Sequence, residues 1–96
     1  MLLKTLQTHR DEILRLSERF GARHLRVFGS VARGDDGPAS DVDLLVELPR
    51  GYDLFAQRLP LVRSLEELLS RRVELIPERE LNPHIRERVL AEAVEL

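Results

Sequence analysis

The chain carries GSVARGDDGPASDVDLLV at residues 29–46, directly after the strand-like run HLRVF at residues 24–28. Side chains at positions i and i+2 of a strand point to the same face, so Asp41 and Asp43 are predicted to lie side by side. Two carboxylates about 5 Å apart repel by roughly 3 kcal/mol at an effective dielectric constant of about 20. Because nothing structural requires that repulsion, the pair indicates a bound cation.

The Gly29-Ser30 pair lies between the two predicted strands and is expected to lead into one helical turn, Val31-Ala32-Arg33. Backbone N–H groups at a turn of this kind can bind phosphate. Two divalent ions about 3.5–4 Å apart can neutralise a polyphosphate and hold the reacting oxygens in line. The turn and the two aspartates therefore predict a site for phosphate and metal, with Mg²⁺ as an ion that prefers such oxygen ligands.

A third carboxylate on a neighbouring strand can complete such a site. Glu74 is the candidate because it is the acidic residue within the third predicted strand, between Val73 and Leu75. A charge in a buried strand is costly unless it has a partner. Each signal also has a plain structural interpretation, in which Glu74 is an exposed edge-strand residue and Arg33 an ordinary surface residue. Their order along the chain is what favours a common site.

Composition excludes several classes of function. The 96 residues suffice for one compact domain, residues 1–96, and the apolar (43%) and charged (33%) fractions are ordinary for a globular protein. A net charge of −2 gives no basic field for a nucleic-acid backbone, so no direct nucleic-acid binding is expected. No apolar run approaches the roughly 20 residues that span a membrane, so no membrane association is expected and the cytoplasm is the default location.

Other kinds of metal site are disfavoured by the residue types. Cysteine is absent, which excludes disulfide bonds and thiolate ligands. The three histidines, His9, His24 and His84, show no paired spacing typical of a zinc site. The acidic residues of segment 35–43 lack the alternating ligands and closing glutamate of an EF-hand.

Apolar spacing predicts helices and strands in alternation. Helices are predicted over residues 2–20, 53–70 and 83–96, and strands over residues 24–28, 42–48 and 72–76. Pro60 is expected to kink or split the second helix. The predicted core residues of that helix are Leu54, Phe55, Leu59, Leu61, Val62, Leu65, Leu68 and Leu69. The alternation indicates an α/β fold in which helices pack on a small sheet.

The order of these features resembles the nucleotidyltransferase superfamily related to DNA polymerase beta. Its signature is similar to GSVARGD at residues 29–35 followed by SDVDL at residues 40–44. The small size narrows the resemblance to the minimal nucleotidyltransferases, which occur as antitoxins paired with HEPN toxins. The resemblance covers nearly the whole chain. It implies a polymerase beta-like core, with a small mixed sheet of three or four strands flanked by helices.

The resemblance also assigns six residues to the site: catalytic and metal-binding Asp41, Asp43 and Glu74, and nucleotide-binding Gly29, Ser30 and Arg33. The carboxylates would ligate two Mg²⁺ ions, and the third of them would help to deprotonate or align the acceptor hydroxyl. Backbone N–H groups, the serine hydroxyl and the guanidinium would bind the nucleoside triphosphate. Many members of the family have aspartate where this chain has Glu74, whose extra methylene displaces the carboxylate by about one C–C bond.

The function implied by the resemblance is Mg²⁺-dependent transfer of AMP from ATP to a hydroxyl of a cognate HEPN ribonuclease toxin, with tyrosine as the expected acceptor. A chain of 96 residues has no second domain to seat an acceptor, so the partner is expected to supply that wall in a homo- or hetero-oligomer. The alternative is a non-catalytic antitoxin that neutralises its partner by binding through the apolar stripe of the first or last helix. Transfer to an aminoglycoside is disfavoured because such enzymes need extra structure for the drug.

Overall fold

The structure is a computed structural model that describes residues 2–96. The helices are α1 (Leu2–Thr8), α2 (Arg10–Arg19), α3 (Gly29–Arg33), α4 (Leu59–Leu69) and α5 (Pro83–Glu92). The strands are β1 (Arg23–Phe28), β2 (Val42–Glu47), β3 (Val73–Pro77) and β4 (Val94–Glu95). A π-helical turn at Leu54–Arg58 precedes α4, and a 3₁₀ turn at Glu78–Glu80 follows β3. No helix in this part of the chain is both long enough and apolar enough to cross a bilayer.

The strands form one four-stranded sheet in the order β3-β2-β1-β4. β2 pairs in parallel with β3, and β1 pairs antiparallel with both β2 and β4. The parallel pair is connected through α4, as a crossover of this kind requires. The predicted α/β fold, with a small mixed sheet flanked by helices, is confirmed.

Alternation along β2 sends its side chains into two separate cores. The fully buried side chains on the face against α1, α2 and α4 are Val42, Leu44 and Val46. Leu45 is fully buried on the opposite face, in a smaller cluster with Phe28 of β1 and Val89 of α5. Asp43 lies two residues before Leu45 and therefore shares its face. The side of the sheet that α5 covers is thus the side that carries this carboxylate.

The helix predicted over residues 2–20 is two helices that meet at His9. The Thr8 hydroxyl donates a hydrogen bond to the Lys4 carbonyl oxygen at 2.9 Å, and such side-chain contacts favour a bend. Leu6 and Ile13 are fully buried, so the apolar stripe of both helices packs into the core. The expectation that this stripe could dock a partner was therefore wrong.

The helix predicted over residues 53–70 is split as expected, but its first part does not enter the core. Asp53 Oδ1 accepts hydrogen bonds from the backbone N–H groups of Phe55 and Ala56, both at 2.9 Å, and so starts a π-helical turn. This turn breaks the 3.6-residue period, and Leu54, Phe55 and Leu59 are 41%, 77% and 38% exposed. Their prediction as core residues was wrong. The fully buried residues of α4 are Leu61 and Leu65.

The last helix ends at Glu92 instead of continuing to Leu96. Val94 and Glu95 form β4, where they pair with Val27 and Arg26 at the edge of the sheet. This pairing joins residues far apart in the chain, so the local apolar spacing could not indicate it. The position of Glu92 is consequently fixed by α5 on one side and by β4 on the other.

Candidate active site

Asp43 lies on β2, an inner strand of the sheet between β3 and β1. Its register partner on β3 is Glu74, and its register partner on β1 is Phe28, the residue before Gly29. Paired residues of adjacent strands share a face and lie about 5 Å apart. The fold therefore places Glu74 on one side of Asp43 and the Gly29 turn on the other.

Gly29 allows the turn to approach Asp43 closely. It opens α3 with a φ of +75°, in the left-handed region that residues with a Cβ rarely adopt. A Cβ at this position would lie 3.2 Å from Cγ of Asp43 and would collide with its Oδ2. Glycine is required because the carboxylate occupies the space that a side chain would need.

The electrostatics of Asp43 reflect a crowded acidic site. Burial, then the charge of Glu74 and a hydrogen bond to it, raise the pKa of the Asp43 carboxyl from 3.8 to about 6. The charge of Asp41 acts in the same direction, and the guanidinium of Arg33 opposes it. The ionised form of Asp43 is therefore disfavoured by its surroundings, and a cation bound between the carboxylates would stabilise it.

Asp43→Asn is expected to stabilise the metal-free protein at neutral pH. The folded pKa of Asp43 lies above its unfolded value, so the stability that it contributes is present at low pH and is lost as the pH rises through about 6. Asparagine cannot ionise, so the free energy of unfolding should rise by about 1 kcal/mol at neutral pH, since solvent screens part of the repulsion. The gain should vanish near pH 4.

Urea unfolding in EDTA across this pH range measures the effect. Glu67→Gln, at an exposed glutamate of α4, is the control that removes one negative charge away from the site. At neutral pH, the free energy of unfolding should rise more for Asp43→Asn than for Glu67→Gln. An equal or smaller rise would contradict the assignment of this pKa to Asp43.

The remaining predicted site residues surround this pair. Asp41 precedes β2 and is exposed, yet its charge acts on the Asp43 carboxyl. Ser30 is half-buried in the first turn of α3. Arg33 ends α3, and half of its side chain (50%) is exposed. The structure thus gathers all six residues at one end of the sheet, and their individual roles stay predictions.

Glu92 also lies at this site, although no local pattern pointed to it. Its Oε1 accepts a hydrogen bond from the Gly29 N–H at 3.0 Å, and its Oε2 lies 3.2 Å from Nη1 of Arg33. Its partners are 63 and 59 residues away in the chain. Within its own helix Glu92 is one of two acidic residues, so the packing of α5 is what distinguishes it.

The arrangement offers oxygen atoms alone as metal ligands. Asp41, Asp43 and Glu74 supply carboxylates, which suit a hard cation such as Mg²⁺. Glu74 is exposed on the edge strand β3, so an acceptor can approach it from solvent. Ser30 and Arg33 stand beside the carboxylates and offer a hydroxyl and a positive charge to phosphate. The geometry can support transfer of a phosphoryl or nucleotidyl group to an acceptor on another molecule.

A separate cavity of about 900 Å³ lies at the other end of β2. Its lining includes His24, Glu47 and Glu78, whose ligand atoms lie within 4.8 Å of one another. Hydrogen bonds to Glu47 and then to Glu95 raise the pKa of His24, and Glu78 pairs with Arg26. These protein partners account for the cluster, and none of the six predicted site residues lines the cavity.

Comparisons with known proteins cover the whole site. A family model described as the nucleotidyltransferase domain matches residues 8–96. The protein adenylyltransferase MntA of Thermococcus cleftensis is 40% identical over 89 residues, which cover 93% of this chain and 86% of that protein. The solved structure of a candidate minimal nucleotidyltransferase is 47% identical, with a TM-score of 0.85. The match covers 98% of this chain and 95% of the chain in that structure.

A more distant solved structure shows the same fold. It contains the tri-AMPylated HEPN toxin of Shewanella oneidensis in complex with its MNT antitoxin. The matched chain is 21% identical, with a TM-score of 0.69, over 93% of this chain and 69% of that one. At this identity the similarity concerns the fold alone. The region matched by the family model includes every residue placed at the site.

Proposed function

Because the chain belongs to the nucleotidyltransferase domain family, we propose that it is an antitoxin that transfers AMP from ATP to a tyrosine hydroxyl of a cognate HEPN ribonuclease toxin. The observation that carries the proposal is the pairing of Asp43 with Glu74 across β2 and β3, directly beside the Gly29 turn. This pairing places the acidic residues of two strands next to the turn that is expected to bind phosphate. The related Thermococcus cleftensis protein is named a protein adenylyltransferase, which supports a protein acceptor.

The donor set fits Mg²⁺. Asp41, Asp43 and Glu74 offer only carboxylate oxygens. Burial, and then the charges of Glu74 and Asp41, raise the pKa of Asp43, so a bound cation would stabilise its ionised form. Two bound Mg²⁺ ions would supply charge neutralisation for the triphosphate and the leaving pyrophosphate. The same three residues would hold those ions, and the paired residues Asp43 and Glu74 would lie at the centre of the site.

The protein groups then have distinct tasks. Ser30 and Arg33 hold the phosphates and so position the α-phosphorus for attack. The acceptor oxygen forms a bond to the α-phosphorus as the bond to the β-phosphate oxygen breaks, and pyrophosphate leaves. Glu74 takes the proton of the acceptor hydroxyl, because it is exposed on the edge strand β3, where an acceptor can reach it.

The exposed position of Glu74 also fits an acceptor that belongs to another protein. Glu74 is exposed on the edge strand β3, so a partner can approach it directly. A partner that presents a tyrosine can therefore complete the site. ATP as the donor fits an enzyme that works in the cytoplasm.

Incubation of the protein with labelled ATP, Mg²⁺ and its cognate HEPN protein tests the proposal. We expect label on the HEPN protein, mass spectrometry that locates AMP on tyrosine, and loss of its ribonuclease activity. The Asp41→Asn/Asp43→Asn double variant is the matched control and should transfer nothing. If wild type and double variant protect cells equally well against the toxin, the non-catalytic alternative is correct and AMP transfer is not the basis of neutralisation.

A further inference from the structure

Glu92 lies at the site, but the proposed chemistry gives its charge no task. It is the last residue of α5, and its side chain is 21% exposed. Val89, one turn earlier, is buried against the sheet, and Val94 pairs with Val27 of β1 two residues later. The backbone on both sides of Glu92 is therefore held by the fold, so this carboxylate is not part of a loose chain end.

The carboxylate of Glu92 joins two of the residues expected to bind nucleotide. Oε1 accepts the Gly29 N–H at 3.0 Å, while Nη1 of Arg33 lies 3.4 Å from Oε1 and 3.2 Å from Oε2. Nε of Arg33 donates to Asp35 at 3.3 Å. Among residues 2–96, no protein partner is found for Nη2 of Arg33, which is the edge that remains for a ligand.

A half-exposed arginine must give up considerable rotational freedom when it binds phosphate. A carboxylate that already holds one edge of the guanidinium reduces that loss, because charge-assisted hydrogen bonds fix its plane. The same carboxylate occupies the Gly29 N–H and so braces the turn that precedes Ser30. Glu92 therefore holds Arg33 directly, and it holds the turn before Ser30 through Gly29, without contacting the phosphate itself.

We propose that Glu92 is a positioning residue that orients Arg33 and the Gly29 turn for the triphosphate of the nucleotide. The proposal rests on the proposed function, since it concerns the same nucleotide site. It predicts that Glu92 influences nucleotide affinity through Arg33. It also predicts that removal of Glu92 raises the KM for ATP in AMP transfer while kcat changes little.

Calorimetric titration with Mg²⁺-ATP tests this role in wild type, Glu92→Ala, Arg33→Ala and the double variant. Glu92→Ala should weaken binding about tenfold, as is typical when a residue that orients a ligand-binding group is lost. Because one of the two contacts of Glu92 is with Arg33, the loss of affinity in the double variant should be smaller than the sum of the two single losses. Glu92→Gln keeps an acceptor for the Gly29 N–H but loses the charge, and should fall between wild type and Glu92→Ala.

Glu87→Ala, at an exposed glutamate of the same helix, is the matched control and should bind like wild type. Unchanged or tighter binding by Glu92→Ala would overturn the role of Glu92, as would additive losses in the double variant. A wild-type protein that binds no Mg²⁺-ATP would instead overturn the proposed function. The two failures are therefore distinguishable.

Discussion

Asp43→Asn is expected to reduce AMP transfer to the HEPN partner by about a thousandfold, which corresponds to about 4 kcal/mol of transition-state stabilisation. Asp43 is the carboxylate with neighbours on both sides, Glu74 on β3 and Gly29 directly after β1. Asparagine has nearly the same shape but lacks the negative charge that a divalent cation requires. The loss should therefore be catalytic rather than structural.

The rate of label transfer under saturating Mg²⁺-ATP measures this effect. Glu47→Gln is the matched control, because Glu47 is an exposed carboxylate at the far end of the same strand. It should retain the wild-type rate. Since Asp43→Asn is expected to be more stable than wild type without metal, a folded but inactive variant is the predicted combination. A rate within tenfold of wild type would contradict the assignment of Asp43 to catalysis.

Gly29→Ala is expected to reduce AMP transfer at least about a hundredfold and to destabilise the fold by about 3 kcal/mol. Two separate effects contribute. The φ of +75° disfavours any residue with a Cβ by about 1–2 kcal/mol. The new Cβ also collides with Oδ2 of Asp43, so the turn or the carboxylate must move. Either movement separates the phosphate-binding turn from the metal-binding residue.

Gly51→Ala separates the two effects. Gly51 has a φ of +70°, but a Cβ there would meet nothing within 4 Å. The Gly51→Ala variant should therefore lose only about 1 kcal/mol in the free energy of unfolding, measured in urea, and should keep full activity. In an Asp43→Ala background, Gly29→Ala should cost no more than Gly51→Ala, because the colliding atoms are gone. Equal costs for the two glycines in the wild-type background would show that contact with Asp43 is unimportant.

The parts of the site that lie on strands could be predicted from the sequence. The alternation around Asp41 and Asp43 fixes their shared face, and the single acid between Val73 and Leu75 identified the neighbouring strand. Local spacing is enough for such residues because a strand has a period of two. The parallel pairing that aligns Glu74 with Asp43 is a property of the fold.

Other features depend on contacts that no local pattern contains. Glu92 reaches the Gly29 N–H only because α5 ends at the sheet and β4 pairs with β1. Leu54 and Phe55 fitted a helical stripe, but the cap provided by Asp53 starts a π-helical turn and leaves them exposed. In both cases a hydrogen bond determines the outcome, and apolar periodicity carries no information about it.

Anomalous diffraction from crystals grown with Mn²⁺ and a non-hydrolysable ATP analogue tests the claim that the three carboxylates and the Gly29 turn form one site for metal and nucleotide. Mn²⁺ can replace Mg²⁺ at oxygen sites and is located by its own scattering. We predict anomalous peaks between the carboxylates of Asp41, Asp43 and Glu74, with the triphosphate at Ser30 and Arg33. Peaks confined to the His24 and Glu47 cavity, or nucleotide bound away from the Gly29 turn, would contradict the claim.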